Sequence, residues 1–128
     1  MKILLVTSKD TFEFDEIDIP KPTDYEVLVK HEGCLICNHT DWMIVDDLFQ
    51  TPDYPVCIGH ESFGKVIEVG SKVRNFKIGD RVICSNAIPT GFDGKRYSTW
   101  GGFAEYGIAG DYEALIQDNQ TIDGEFSY

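Results

Sequence analysis

Gly59-His60-Glu61-Ser62-Phe63-Gly64-Lys65-Val66-Ile67-Glu68-Val69-Gly70 sets a histidine beside a glutamate and follows them with a strand-like run between glycines. Phe63 to Val69 is rich in β-branched and aromatic side chains, the types that fit a pleated surface. Gly59 and Gly64 allow the backbone to turn tightly on either side of the polar pair. The same pattern repeats outward from this stretch. Lys2 to Thr7 reads as a strand, and Thr11 to Ile19 as a second with an irregularity at Asp15-Glu16. Tyr25 to His31 is a third, with Val27 and Val29 on one face and Leu28 and Lys30 on the other. Arg81 to Cys84, Phe103 to Ala109 and Ala114 to Gln117 read as further short strands.

One segment departs from this period. Asn38 to Phe49 carries Trp42, Met43, Val45, Leu48 and Phe49 at near-helical spacing. Asn38 is the expected N-cap, and Asp41 stands where a capping box needs its second carboxylate or amide. Pro20 to Asp24 and Gln50 to Pro55 are proline-marked connectors, and Asn86 to Gly102 is a long polar, glycine-rich loop. Short strands, glycine turns and one short helix predict a mainly all-β fold, a small barrel or a sandwich.

Composition narrows the function. With 128 residues, 42% hydrophobic and 26% charged, the chain is long enough for one domain with a real core. The net charge of -11, with its basic residues scattered, excludes a phosphate-binding stripe and argues against nucleic acid. No apolar run approaches the roughly 18 residues of a membrane span, and the apolar run after Met1 is too short for a secretion leader. Four cysteines without a leader point to reduced thiols and a cytoplasmic setting, which leaves sulfur available for metal work.

Two places carry chemistry. Cys37 stands at the expected helix start, where partial positive charge favours a thiolate. His60 and Glu61 add an imidazole and a carboxylate. Together they offer three zinc-competent donors from two loops, with a coordination position to spare. Asp41 is the candidate acceptor for the second imidazole N–H. Thr40 supplies a hydroxyl that could meet a substrate oxygen. The residue types alone also allow a small buried cysteine and an ordinary hydrogen-bonded histidine. Cys34-Leu35-Ile36-Cys37 has CxxC spacing, but no second CxxC completes a knuckle, and Cys34 reads as core. Cys57 and Cys84 read as buried, inert thiols, and His31 and His39 as solvated or structural. No nucleophile elbow, phosphate loop or Gly-x-Gly-x-x-Gly occurs in the sequence.

The spacing of Gly59-His60-Glu61, Gly64, Gly70 and Val73 resembles the zinc signature of the medium-chain, zinc-containing alcohol dehydrogenases. Pro20 to Lys30, Tyr54 to Ile58, Gly79-Asp80-Arg81-Val82 and Gly101 to Tyr106 agree with the family in order, so the resemblance spans residues 1–117. It implies a GroES-like, partly open β-barrel with one or two short helices, followed by a polar tail from 118 to 128 that leads toward a missing remainder. It implies Cys37 and His60 as ligands of one catalytic zinc, Glu61 as a direct or exchanging ligand, Asp41 as the group that orients His60, and Thr40 as the partner of an alcohol oxygen. It further implies NAD or NADP held by a Rossmann domain not in this chain, a small alcohol or carbonyl substrate, and homo-oligomers at full length.

The sequence departs from the family pattern in three ways within its own length. Two residues, Asn38 and His39, separate Cys37 from Thr40-Asp41 where the family usually has one. Met43 stands where many members have a relay histidine. Asn86 to Gly102 contains no cysteine, so no structural zinc lobe is expected.

Overall fold

The computed structural model describes residues 1–48, 54–84 and 100–120. Strands β1 (Lys2–Ser8) and β2 (Thr11–Glu16) form a two-stranded antiparallel sheet. Strands β3 (Glu26–Leu35), β4 (Glu61–Val69), β5 (Arg81–Cys84) and β6 (Tyr106–Gly110) form a four-stranded one in the order β5-β4-β3-β6. Helix α1 (Thr40–Val45) lies between β3 and β4, and α2 (Tyr112–Gln117) follows β6. Isolated bridges from Ile3 to Ala104 and from Val6 to Val56 tie β1 to the neighbouring segments without closing a barrel. This is the mainly-β, partly open architecture that the sequence predicts.

The core lies in three clusters. Val27, Val29, Val66 and Cys84 fill the inner face of the larger sheet. Val6, Ile44, Val45, Val56 and Ile58 pack α1 against β1 and the approach to β4. Ile3, Leu5, Ile17 and Cys57 fill the space beneath β1. Each fully buried Val or Ile contributes about 1.5–3 kcal/mol of transfer free energy.

Strand β4 shows the alternation cleanly. Ser62, Gly64 and Val66 face inward, while Phe63, Lys65 and Ile67 are exposed. Gly64 therefore sits inside the strand and not at a turn before it. The physical reason is a close approach: a Cβ at Gly64 would collide with the Lys30 carbonyl and the His31 Cα, where the register of β3 shifts between His31 and Gly33.

Several element boundaries differ from the sequence reading. Strand β3 runs on to Leu35 because β4 pairs with it throughout, from Val27↔Val69 to Leu35↔Glu61. The periodic stretch from Asn38 yields a helix of only six residues, with His39 and not Asn38 in the N-cap position and no side-chain cap. Strand β2 stops at Glu16, and Phe12 and Phe14 on it are exposed. The expected strand at Ala114 to Gln117 is a helix. Its cause is Asp111, whose carboxylate caps the Ala114 N–H at 3.1 Å. Most of the expected loop from Asn86 to Gly102, and the tail beyond Gln120, lie outside the described residues.

Asp111 is 1% exposed and accepts from four donors: the backbone N–H of Arg74 (2.7 Å), Asn75 (2.9 Å) and Ala114 (3.1 Å), and the Asn75 side-chain amide (2.9 Å). Arg74 in turn grips α2, through Nη2 to both Asp118 oxygens and through Nη1 to the Ala114 carbonyl. Burial alone would push the Asp111 carboxyl up. The Asn75 amide and the three N–H groups outweigh it and hold the pKa down at about 2, against an ordinary 3.8.

A depressed carboxyl stabilises the fold above its unfolded pKa and loses that contribution as pH falls through its folded one. Stability that depends on Asp111 should therefore be intact above pH 4 and fade between about 4 and 2. Chemical denaturation of Asp111→Ala near neutral pH should show a loss of about 3 kcal/mol. Its stability should also fall less steeply between pH 4 and 2 than that of wild type. Equal midpoints at neutral pH would contradict this account.

Candidate metal centre

The β3–β4 ladder ends with Leu35 opposite Glu61. Cys37 lies two residues beyond one strand end, and His60 immediately before the other. The register alone therefore delivers both loops to the same end of the sheet. One donor atom each from Cys37, His60 and Glu61 lie within 4.8 Å of one another.

Local bonds shape the Cys37 loop. The Asp41 carboxylate reaches back to the Cys37 N–H at 2.9 Å, and the Asp41 N–H donates to the Cys37 carbonyl at 3.1 Å. Asp41 thus acts like the reaching residue of a capping box, one position further back than the sequence suggests. Thr40 lies against the sulfur, its backbone N–H 3.4 Å from Cys37 Sγ. The Thr40 N–H, then the His39 N–H and the Thr40 hydroxyl, pull the Cys37 thiol below its ordinary pKa. Burial does the opposite elsewhere, pushing Cys34 and Cys84 to about 11 and Cys57 to about 12. Cys57 and Cys84 are the buried, inert thiols that the sequence predicts. Cys34 is half-buried, outside the donor cluster and not a core residue.

The His60 ring lies between two carboxylates. Nδ1 faces Asp41 Oδ1 at 3.6 Å, and Nε2 faces Glu61 Oε1 at 3.7 Å. Asp41 is almost fully buried, whereas the Glu61 side chain is 45% exposed. Both His60 Nδ1 and Asp41 Oδ1 are buried without a hydrogen-bond partner. Such a pair is costly to leave unsatisfied. A metal on Nε2 would make Nδ1 the N–H donor that Asp41 Oδ1 lacks. The thiolate-prone sulfur, the imidazole and the open carboxylate also form a chemically suitable zinc set. On both counts the residues present fit a zinc ion. His31 lies apart, with Nδ1 2.7 Å from the Ala104 carbonyl, and His39 is exposed.

One neighbour escaped the sequence reading. The Trp100 ring lies 5.3 Å from the His60 ring, centroid to centroid, tilted by 54°. The available signal was the Gly101-Gly102 pair after a large aromatic, since paired glycines mark close backbone approach. Gly59, at φ 96°, turns the chain so that its carbonyl accepts from the Gly102 N–H at 2.9 Å, and a Cβ on Gly102 would collide with that carbonyl.

A family profile for the alcohol dehydrogenase GroES-like domain matches residues 23–117. An alcohol dehydrogenase of Geobacillus stearothermophilus is 34% identical over 93% of this chain and 40% of its own length. An acryloyl-coenzyme A reductase of Metallosphaera sedula is 36% identical over 71% of this chain and 27% of its own. Among solved structures, a protein of Sinorhizobium meliloti 1021 provisionally named a zinc-binding dehydrogenase, with NADP bound, superposes with a TM-score of 0.68. It is 31% identical over 87% of this chain and 36% of that one. Galactitol-1-phosphate dehydrogenase of Escherichia coli gives 0.69, at 26% identity over 87% of this chain and 36% of that one. The chain therefore belongs to the alcohol dehydrogenase GroES-like domain family, the catalytic-domain fold of medium-chain dehydrogenases, and spans 40% or less of the length of these relatives.

The thiol order gives a direct check. Limiting iodoacetamide near pH 8 should alkylate Cys37 ahead of Cys34, Cys57 and Cys84, as read by peptide mass spectrometry. Faster labelling of Cys57 than of Cys37 would contradict the described burial and hydrogen bonding.

Proposed function

We propose that this chain is the catalytic-domain portion of a zinc-dependent alcohol or polyol dehydrogenase that works with NAD or NADP. The observation that carries the reading is the convergence of Cys37, His60 and Glu61 donor atoms within 4.8 Å, with one unpartnered Asp41 oxygen, Oδ1, behind the histidine. Cys37 and His60 hold the zinc, and the exposed Glu61 is a direct or exchanging ligand. A zinc ion held there would supply Lewis-acid chemistry toward a substrate oxygen.

The remaining work falls to the chain's own groups. With Nε2 on the metal, Nδ1 would carry the proton, and Asp41 Oδ1, 3.6 Å away, would be its acceptor and fix the imidazole tautomer. The Thr40 N–H lowers the Cys37 thiol's pKa and so favours the thiolate, and the Thr40 hydroxyl is the group for the substrate oxygen. The nicotinamide cofactor is bound by a Rossmann domain outside these 128 residues. Residues 1–117 form the barrel unit, and the full-length protein is a homo-oligomer acting on a small alcohol or carbonyl compound.

The test is zinc per chain by elemental analysis, in wild type and in the Cys37→Ser, His60→Ala double variant. Wild type should retain zinc through gel filtration and the double variant should lose it. Equal zinc in the two proteins would sink the ligand assignment. That result would favour a second reading, a reductase scaffold that works without zinc; the 36% identity to acryloyl-coenzyme A reductase supports the reductase part of it.

A further inference from the structure

The metal reading leaves open what holds the His60 ring in plane. Asp41 Oδ1 faces one edge of the ring at 3.6 Å, longer than a hydrogen bond, so by itself it restrains rotation about χ2 only loosely. The Trp100 ring packs beside it, tilted by 54° at 5.3 Å between centroids. We propose that Trp100 is a positioning residue for the metal-facing histidine, its indole and the Asp41 carboxylate together fixing the plane in which Nε2 meets the metal. This rests on the metal reading of the site.

The backbone explains why the indole can perform this task. The segment that carries Trp100 is zipped to the segment that carries His60. Gly101 N–H donates to the Cys57 carbonyl (3.5 Å), Gly102 N–H to the Gly59 carbonyl (2.9 Å) and Phe103 N–H to the Ile58 carbonyl (3.2 Å). The two side chains at the head of this zipper are therefore set beside each other by main-chain bonds. Trp100 is further anchored on the cluster of Val6, Ile44, Val45, Val56 and Ile58. Ile44 belongs to α1, the helix that also carries Asp41. The indole and the carboxylate are thus referenced to the same packed core, which is what holding a ring from two directions requires. A flexible pair could not restrict the imidazole, because each would move with it.

The test uses the full chain and Co²⁺ as the probe, which takes zinc-type sites and gives near-ultraviolet absorption from its bond to a cysteine thiolate. Trp100→Ala should weaken Co²⁺ binding about tenfold or more, the usual scale for a group that orients a ligand. Trp100→Phe, which keeps an aromatic face, should recover most of the affinity. Val6→Ala opens the same core cluster from β1 and should lower the melting temperature while leaving Co²⁺ affinity unchanged. Unchanged affinity in Trp100→Ala, alongside strong loss in His60→Ala, overturns the positioning role and leaves the metal site standing. Undiminished binding in His60→Ala removes the metal reading and the positioning role with it. Equal weakening in Val6→Ala and Trp100→Ala assigns the effect to the core and also overturns the proposal. If Trp100→Ala does not fold, Trp42→Phe leaves Trp100 as the remaining one of two tryptophans. Saturating Co²⁺ should then quench its emission, and undiminished emission overturns the proposal.

Discussion

The pairing of β3 with β4 is the constraint on which the site depends. Its last rung, Leu35 opposite Glu61, places the loop after one strand against the loop before the other. A slip of one residue would move the Cys37 and His60 loops about 3.3 Å relative to each other. That is comparable to the 4.8 Å within which the three donor atoms lie. The slip would also turn Phe63, Lys65 and Ile67 inward in place of Ser62, Gly64 and Val66. The register is thus held by the hydrophobic effect, by the tight seat of Gly64 and by the Ser62 hydroxyl, which donates to the Cys84 carbonyl at 2.6 Å. The convergence of the three donor atoms and the core packing constrain the same variable.

The sequence revealed the strands whose side chains alternate and the donors whose chemistry is specific. Val27, Val29 and Val66 announce an inner face, and Cys37, His60 and Glu61 are the donors that come together in the fold. It did not reveal what tertiary contact decides. Gly64 looked like a turn because a glycine within a strand and a glycine beside one give the same letter pattern. Only the Lys30 carbonyl behind it shows which applies. Ala114 to Gln117 looked extended because four residues are too few to display a helical period. The deciding residue, Asp111, was a local N-cap signal that went unread: its side chain caps the Ala114 N–H, and partners 36 and 37 positions away only hold it in place. Trp100 was only hinted at, by the Gly101-Gly102 pair that marks close backbone approach; what it approaches is set by a ladder of three backbone bonds that joins it to the His60 segment.

The outer surface differs in character from the core. Phe63 and Ile83 face each other across β4 and β5 and are 41% and 77% exposed, and Leu35 and Ile36 near the donor cluster are 62% and 77% exposed. Single exposed apolar residues are ordinary. A cross-strand pair on one sheet face is a larger apolar area than a lone side chain presents. Acidic groups are spread over the rest of the surface, consistent with the net charge of -11.

Helix α2 has only six residues, about half the length at which an isolated helix persists in water. It holds its shape because Asp111 and Arg74 bind it to the connection between β4 and β5. Neither piece can unravel without releasing the other. Amide protons in α2 and in the Arg74-Asn75 turn should therefore open as one cooperative unit, distinct from the β3–β4 ladder that carries the donor cluster. The molecule in effect has two independent seams, so the α2 end can open while the end of the sheet that carries the donor cluster stays shut.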